Sequence, residues 1–244
     1  MARRRKESHW VCATTDDQRL PFSDSWHAPA REPGDSHSAR PLRQSIDSNP
    51  PKEAPVAVES RDTTVGTPAP DFALPSVDGE EFTLASFSGA SALLVAFVCN
   101  HCPYVQHIES SFGALTGEYA KHGLATVAIC TNDADAYPDD DAEHLQAQAN
   151  RAGWQFPYLI DADQRVGLAY GAVCTPDLFL YDADRRLAYH GAFDESTPGN
   201  HKPVTGASLR AAFDLVLAGK PVPLPHRPAM GCSIKWRPGN EPSA

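Results

Sequence analysis

Residues 91–98 read Ser-Ala-Leu-Leu-Val-Ala-Phe-Val, and they run without a break into Cys99-Asn100-His101-Cys102 and then Pro103-Tyr104. An apolar run of this length, bounded by turn residues, predicts a buried strand. Beyond it, Ile108, Phe112, Leu115 and Tyr119 recur at helical spacing, the stripe of a helix that packs one face on a core. The paired cysteines are thereby placed where a central strand turns into a helix. There the unsatisfied amides and the positive end of the helix dipole favour a thiolate, the nucleophilic form of a thiol.

Two thiols three residues apart at a helix start can close a small disulfide ring. So short a loop adds little stability to the fold; its redox poise depends on how well the reduced form's thiolate is stabilised. Cys99, at the outer edge of the turn, is the expected attacking sulfur, and Cys102, one turn in, the more buried resolving sulfur. His101 lies between them and, protonated, would add a cation beside Cys99. The pair could also begin a zinc site with His107, but no second Cys-x-x-Cys follows at knuckle spacing, and a strand-to-helix setting suits redox chemistry better.

Length and charge bound the rest. The chain has 244 residues, a net charge of −10 and six cysteines, at positions 12, 99, 102, 130, 174 and 232. Six scattered cysteines are too few for a disulfide scaffold and suit a reducing compartment. The acidic balance argues against a nucleic-acid partner. No apolar run reaches the roughly 18 residues of a membrane span, and the basic residues Arg3 to Lys6 are followed by no apolar core of a signal peptide. A cytoplasmic protein without a membrane partner is expected, with no cofactor or bound metal; its oligomeric state is left open.

Residues 1–65 are rich in Pro, Ser, Asp and Arg, carry balanced charge and keep no hydrophobic period. They are expected to be a disordered extension. An ordered domain is expected over 66–237, with a flexible tail at 238–244. Phe72-Ala73-Leu74 and Phe82-Thr83-Leu84 flank Asp78-Gly79, a hairpin signal. After the strand at 91–98, a helix is expected from Pro103 to His122 and a buried strand from Leu124 to Cys130. A polar loop leads to a helix over 142–152, and a short strand at 157–160 to a short helix over 164–170. Strands at 177–181 and 187–190 form a second hairpin. A last helix spans 207–218. Strands alternating with helices between two hairpins predict an α/β fold with a mixed central sheet and helices on both faces.

Cys174-Thr175-Pro176 stands just before the strand at 177–181, where a proline is tolerated because its missing N–H falls at the edge. Cys174 is either a small core filler or a third thiol near the site. Cys130 reads as packing. Cys232 lies in the Pro-rich tail with Trp236; it is either an extra resolving thiol, a metal ligand, or part of a tail that packs over the core. Asp139, Asp140 and Asp141 lack the spacing of a calcium loop and read as an acidic cap on the following helix.

The set Phe97 to Tyr104, Thr175-Pro176 before Leu178-Phe179-Leu180-Tyr181, and Ala69-Pro70-Asp71-Phe72-Ala73-Leu74 with Asp78-Gly79 resembles the thioredoxin-like redoxins. These form the alkyl hydroperoxide reductase/thiol-specific antioxidant superfamily, with TlpA-like thiol–disulfide oxidoreductases among them. The resemblance covers about residues 66–237. It implies a thioredoxin-like fold with an N-terminal β-hairpin and an inserted strand–helix unit at about 131–160. It also implies a cis proline at Pro176, facing the cysteines, with the backbone around Thr175 pairing with a substrate chain.

The expected function is therefore thiol–disulfide exchange, of a redox-homeostasis or antioxidant kind, with protein or small-molecule thiols and disulfides as partners. Cys99, Cys102 and His101 are the catalytic candidates; Thr175, Pro176 and Asn100 are the substrate-contacting candidates. The alternatives are a peroxiredoxin-like thiol peroxidase and a non-enzymatic Cys/His metal-binding module. Peroxidase members resemble Pro-x-x-x-Thr-x-x-Cys with an Arg before the later strand. Counting back from Cys102, Val95 and Cys99 stand at the Pro and Thr positions; counting back from Cys99, Ala92 and Ala96 do. The Arg position reads Thr175-Pro176. Leu93 and Leu94 stand where a thioredoxin-type carboxylate would lie under the cysteines, leaving His101, His107 or Glu109 as candidate bases.

Overall fold

The structure, a computed structural model, describes residues 57–242. In chain order the elements are β1 (Ala57–Glu59), β2 (Ala73–Pro75), β3 (Glu81–Thr83), β4 (Ala92–Phe97), α1 (Pro103–Ala120), β5 (Leu124–Cys130), α2 (Ala142–Ala152), β6 (Tyr158–Ile160), α3 (Arg165–Tyr170), β7 (Cys174–Thr175), β8 (Asp177–Tyr181), β9 (Leu187–Gly191), α4 (Ala207–Leu217) and β10 (Met230–Ser233).

β4 is buried at every residue because it lies at the centre of a five-stranded sheet of order β6-β5-β4-β8-β9. It pairs parallel with β5 and antiparallel with β8. A strand covered on both faces needs apolar residues throughout, which is why its sequence is continuous rather than alternating. The period of two still divides its side chains. Leu94 and Ala96 face a core shared with Ile108, Phe112 and Leu115 of α1, Leu145 of α2 and Phe213 of α4. Leu93, Val95 and Phe97 face the opposite core, with Phe72 and Leu74 beside the β2–β3 hairpin and Val166 and Tyr170 of α3. Helices thus flank a mixed sheet on both faces, and the unit from β5 to β6 carries α2 as an insertion. No helix among the described residues is long and apolar enough to cross a membrane.

Two boundaries differ from expectation. Order begins before residue 66: Ala57, Val58 and Glu59 pair with Cys232, Gly231 and Met230. Three residues carry no readable period, so only the partner strand reveals β1. At the other end, the chain past residue 237 is held: Gln164 Oε1 accepts from Arg237 N at 2.8 Å and Asn240 Nδ2 at 3.0 Å. The rest of the expected extension, with Cys12, lies outside the described residues.

A second sheet joins β1, β10 and β7 in that order. In it Cys232 stands opposite Thr175, and Ser233 opposite Cys174. The Thr175–Pro176 peptide is cis. Gly231 permits this crossing, since a Cβ built there would lie 1.9 Å from the Thr175 carbonyl oxygen.

Candidate redox site

Pro103 occupies the first turn of α1 and Cys102 is its N-cap, in extended conformation. Proline suits that position because its missing N–H would have had no helical partner. Cys102, not Cys99, therefore meets the helix start. Cys99 sits two residues beyond Phe97, the last β4 ladder position, and the intervening Val98 N still donates to Ile129 O at 3.0 Å. Both cysteines are fully buried, which corrects the expectation of an outer and an inner sulfur.

Thr175 touches both thiols. Its hydroxyl lies 3.3 Å from Cys99 Sγ, and its carbonyl oxygen lies 3.0 Å from Cys102 Sγ and accepts the proton when Cys102 is a thiol. The cis step is thus set against the cysteine pair, as the resemblance implies for Thr175 and Pro176.

The surroundings act on the two sulfurs in opposite directions. Burial pushes the Cys99 thiol well up; the hydrogen bond with Cys102 and the negative charge of Asp140 push the same way. Burial also opposes ionisation of Cys102, but hydrogen bonds from the side chains of Cys232, Cys99 and Thr175 and the backbone of Cys232 outweigh it. The net effect holds Cys102 below the ordinary thiol range. A hydrogen bond to Cys102, then burial, pushes Cys232 up. Each neighbour that stays protonated thus favours a thiolate on Cys102.

The loop between the cysteines is pinned by Asp140, a residue that the acidic run marks as part of a helix cap. Its Oδ1 accepts from Asn100 N at 2.9 Å and His101 N at 3.1 Å. Its Oδ2 accepts from His101 Nδ1 at 2.6 Å and Asn132 Nδ2 at 2.8 Å. Asp141, the next residue, does cap α2, accepting from His144 N at 2.9 Å. The run of three acids thus splits into roles that no local signal separates. His101 does not stand free beside Cys99; its ring is hydrogen-bonded to that carboxylate and stacked on Tyr137.

Asn100, expected near a substrate, is spent inside the protein. Its Nδ2 donates to Asp139 O at 2.7 Å, its Oδ1 accepts from Arg151 at 2.7 Å, and its carbonyl accepts from Gln106 at 2.7 Å. Glu109 pairs with Arg151 at 2.9 Å and His107 bonds Ser196 at 2.7 Å, so both candidate bases are engaged elsewhere. Cys174 is buried, its Sγ 3.6 Å from Pro176 O, and burial pushes its thiol up; it is core packing. Burial does the same to Cys130 at the end of β5.

Cys99, His101 and Asp140 bring one potential ligand atom each within 4.8 Å of one another. Both Asp140 oxygens already accept two hydrogen bonds, so a metal there would have to displace His101 or Asn132. A cleft of about 250 Å³ is lined by Pro176, Tyr104, Ile108, Phe193, Asp194 and Arg227 among others.

The His101–Asp140 pair yields a first prediction. Removing His101 leaves the Asp140 charge facing the sulfurs without its nearest donor, which disfavours the thiolate and makes the pair more reducing. His101→Ala is expected to lower the midpoint potential on the order of 30 mV, a tenfold change in equilibrium. Asp140→Asn in the same background should cancel the shift. A dithiol–disulfide redox titration of the single and double variants checks both, and an unchanged potential in His101→Ala would remove the coupling.

The AhpC/TSA family model matches residues 65–190. The thiol-disulfide oxidoreductase ResA of Geobacillus thermodenitrificans (strain NG80-2) is 29% identical over 129 residues, covering 53% of this chain and 70% of that protein. The crystal structure of a hypothetical protein from Sinorhizobium meliloti 1021 is 53% identical with a TM-score of 0.73, covering 74% of this chain and 99% of that one. A thiol:disulfide interchange protein of the thioredoxin family from Chlorobium tepidum TLS matches with a TM-score of 0.50 at 21% identity, covering 64% of this chain and 99% of that one; at that identity the likeness speaks to the fold.

Proposed function

This chain belongs to the AhpC/TSA family of redoxins, and from that premise we propose that it exchanges disulfides through Cys99 and Cys102. The observation that carries the reading is the convergence of both sulfurs on Thr175, with one helix start and one cis proline step around them. In the forward direction the Cys102 thiolate attacks a substrate disulfide, forming a mixed disulfide and releasing one thiolate. Cys99 then attacks the Cys102 sulfur. The second substrate thiolate leaves and the Cys99–Cys102 disulfide remains, so the substrate gains two electrons and the pair loses two.

His101 and Asp140 act on this chemistry as positioning residues. They fix the loop that carries Cys99 and bear no sulfur contact of their own among the hydrogen bonds described. Peroxidase chemistry asks instead for donors that orient a peroxide and stabilise charge at the departing oxygen. Among the described residues, the hydrogen-bond partners of these sulfurs are Thr175 and other thiols.

The test is a redox titration with peptide mapping, run beside a stopped-flow measurement with hydroperoxide. A two-electron couple that links Cys99 to Cys102, together with slow peroxide consumption, supports disulfide exchange. Rapid peroxide-dependent loss of a single thiol would move the protein to the peroxidase class.

A further inference from the structure

β10 lies where an added strand would pair with the cis-proline segment. Its Cys232 stands opposite Thr175, the residue that touches both Cys99 and Cys102. The approach needs a glycine next door: a Cβ at Gly231 would meet Thr175 O at 1.9 Å, Thr175 C at 2.5 Å and Pro176 N at 3.0 Å. β10 is held on its other edge by β1, and Ser60 clips the end through Ser60 N to Ala229 O and Ala229 N to Ser60 Oγ, each 2.9 Å. Cys232 is fully buried. Its side chain and backbone both hydrogen bond to Cys102, and Tyr104, in the first turn of α1, offers its backbone N–H to the Cys232 sulfur. Cys102 is therefore a sulfur with a thiol neighbour on each side, Cys99 from the β4 end and Cys232 from β10.

We propose that Cys232 is a second disulfide partner of Cys102, carried to it by a strand of the same chain that takes the place of a substrate strand. The inference rests on the exchange reading above and extends it by one step. Once the Cys99–Cys102 disulfide has formed, Cys232 Sγ attacks Cys102 Sγ. The Cys232–Cys102 bond forms as the Cys102–Cys99 bond breaks, and the bonding pair leaves on Cys99. The proton shed by Cys232 passes to the Cys99 thiolate, which the Thr175 hydroxyl is placed to hydrogen bond. One disulfide and one thiol enter and leave, so no outside oxidant or reductant is needed. The amide of Tyr104 favours the attacking thiolate on Cys232, as a helix start does for any thiolate. The oxidising equivalent ends up tying the C-terminal strand to the start of α1.

The test oxidises the full chain with one equivalent of diamide, quenches in acid, alkylates the remaining thiols and maps the linked peptides. Wild type should give a Cys102–Cys232 linkage alongside Cys99–Cys102. Cys99→Ser should give Cys102–Cys232 as its main internal disulfide, and Cys232→Ser only Cys99–Cys102. Gly231→Ala, with folding verified by near-UV circular dichroism, should lose the Cys102–Cys232 product severalfold while Cys99–Cys102 persists. Wild type yielding only Cys99–Cys102, with no internal disulfide in Cys99→Ser, overturns this inference and leaves the exchange reading standing. A wild type with no linkage at Cys102 overturns both.

Discussion

Replacing Cys102 with serine is expected to reduce disulfide-exchange turnover by roughly a thousandfold or more, since the variant loses the only sulfur among the described residues whose surroundings favour the thiolate. The sharper readout is spectroscopic. Thiolate absorbance near 240 nm, followed as pH rises from the acid side, should show one group ionised below the ordinary thiol range. Cys102→Ser should remove that early titration. Cys99→Ser should retain much of it, because hydrogen bonds from Cys232 and Thr175 to Cys102 survive. Cys99→Ser should nonetheless lose steady turnover, for want of the resolving thiol. If Cys99→Ser instead abolishes the early titration and Cys102→Ser keeps it, Cys99 is the ionised one, as the sequence alone suggests.

The second large effect is expected at Asp140. Asp140→Ala removes a buried carboxylate and strands two backbone N–H groups, the Asn132 amide and the His101 ring. Orphaning buried donors and breaking a largely buried pair should together cost about 3–5 kcal/mol. For a domain of this size that is a fall in melting temperature of roughly 10 °C. Asp140→Asn retains the volume and an acceptor and should cost clearly less. Exchange activity of Asp140→Ala should fall even at temperatures where it remains folded, because the loop placing Cys99 has lost its anchor. Thermal unfolding and exchange rates, measured side by side, check the pair of claims. A stable, fully active Asp140→Ala protein would show that the loop holds itself.

What the sequence disclosed and what it withheld follow from the range of the interactions involved. β4 and α1 are written in local pattern: a continuous apolar run for a strand covered on both faces, then a stripe at helical spacing. The same holds for β5, α2 and β8, whose observed limits match the expected ones. β1, β7 and β10 have two to four residues each and exist only because they pair with one another across long stretches of chain. No periodicity can announce such strands. The thiol pair was legible for the same reason β4 was, as a motif set between two readable elements. Its internal polarity was not, because that depends on Cys232 and Thr175 arriving from elsewhere. Asp140 was hidden in an acidic run whose neighbour performs the expected capping. The one available hint was that three consecutive acids exceed what a single helix start requires.

The crossing of β10 between β1 and β7 has a further consequence for handling the protein. The cover over the three sulfurs is assembled from segments near both ends of the described domain. Shaving the chain through Glu59 would turn a middle strand into a margin with one free edge, and the redox centre would register a cut made far away in sequence. Truncations that reach β1 or β10 are, for this fold, alterations at the redox centre itself.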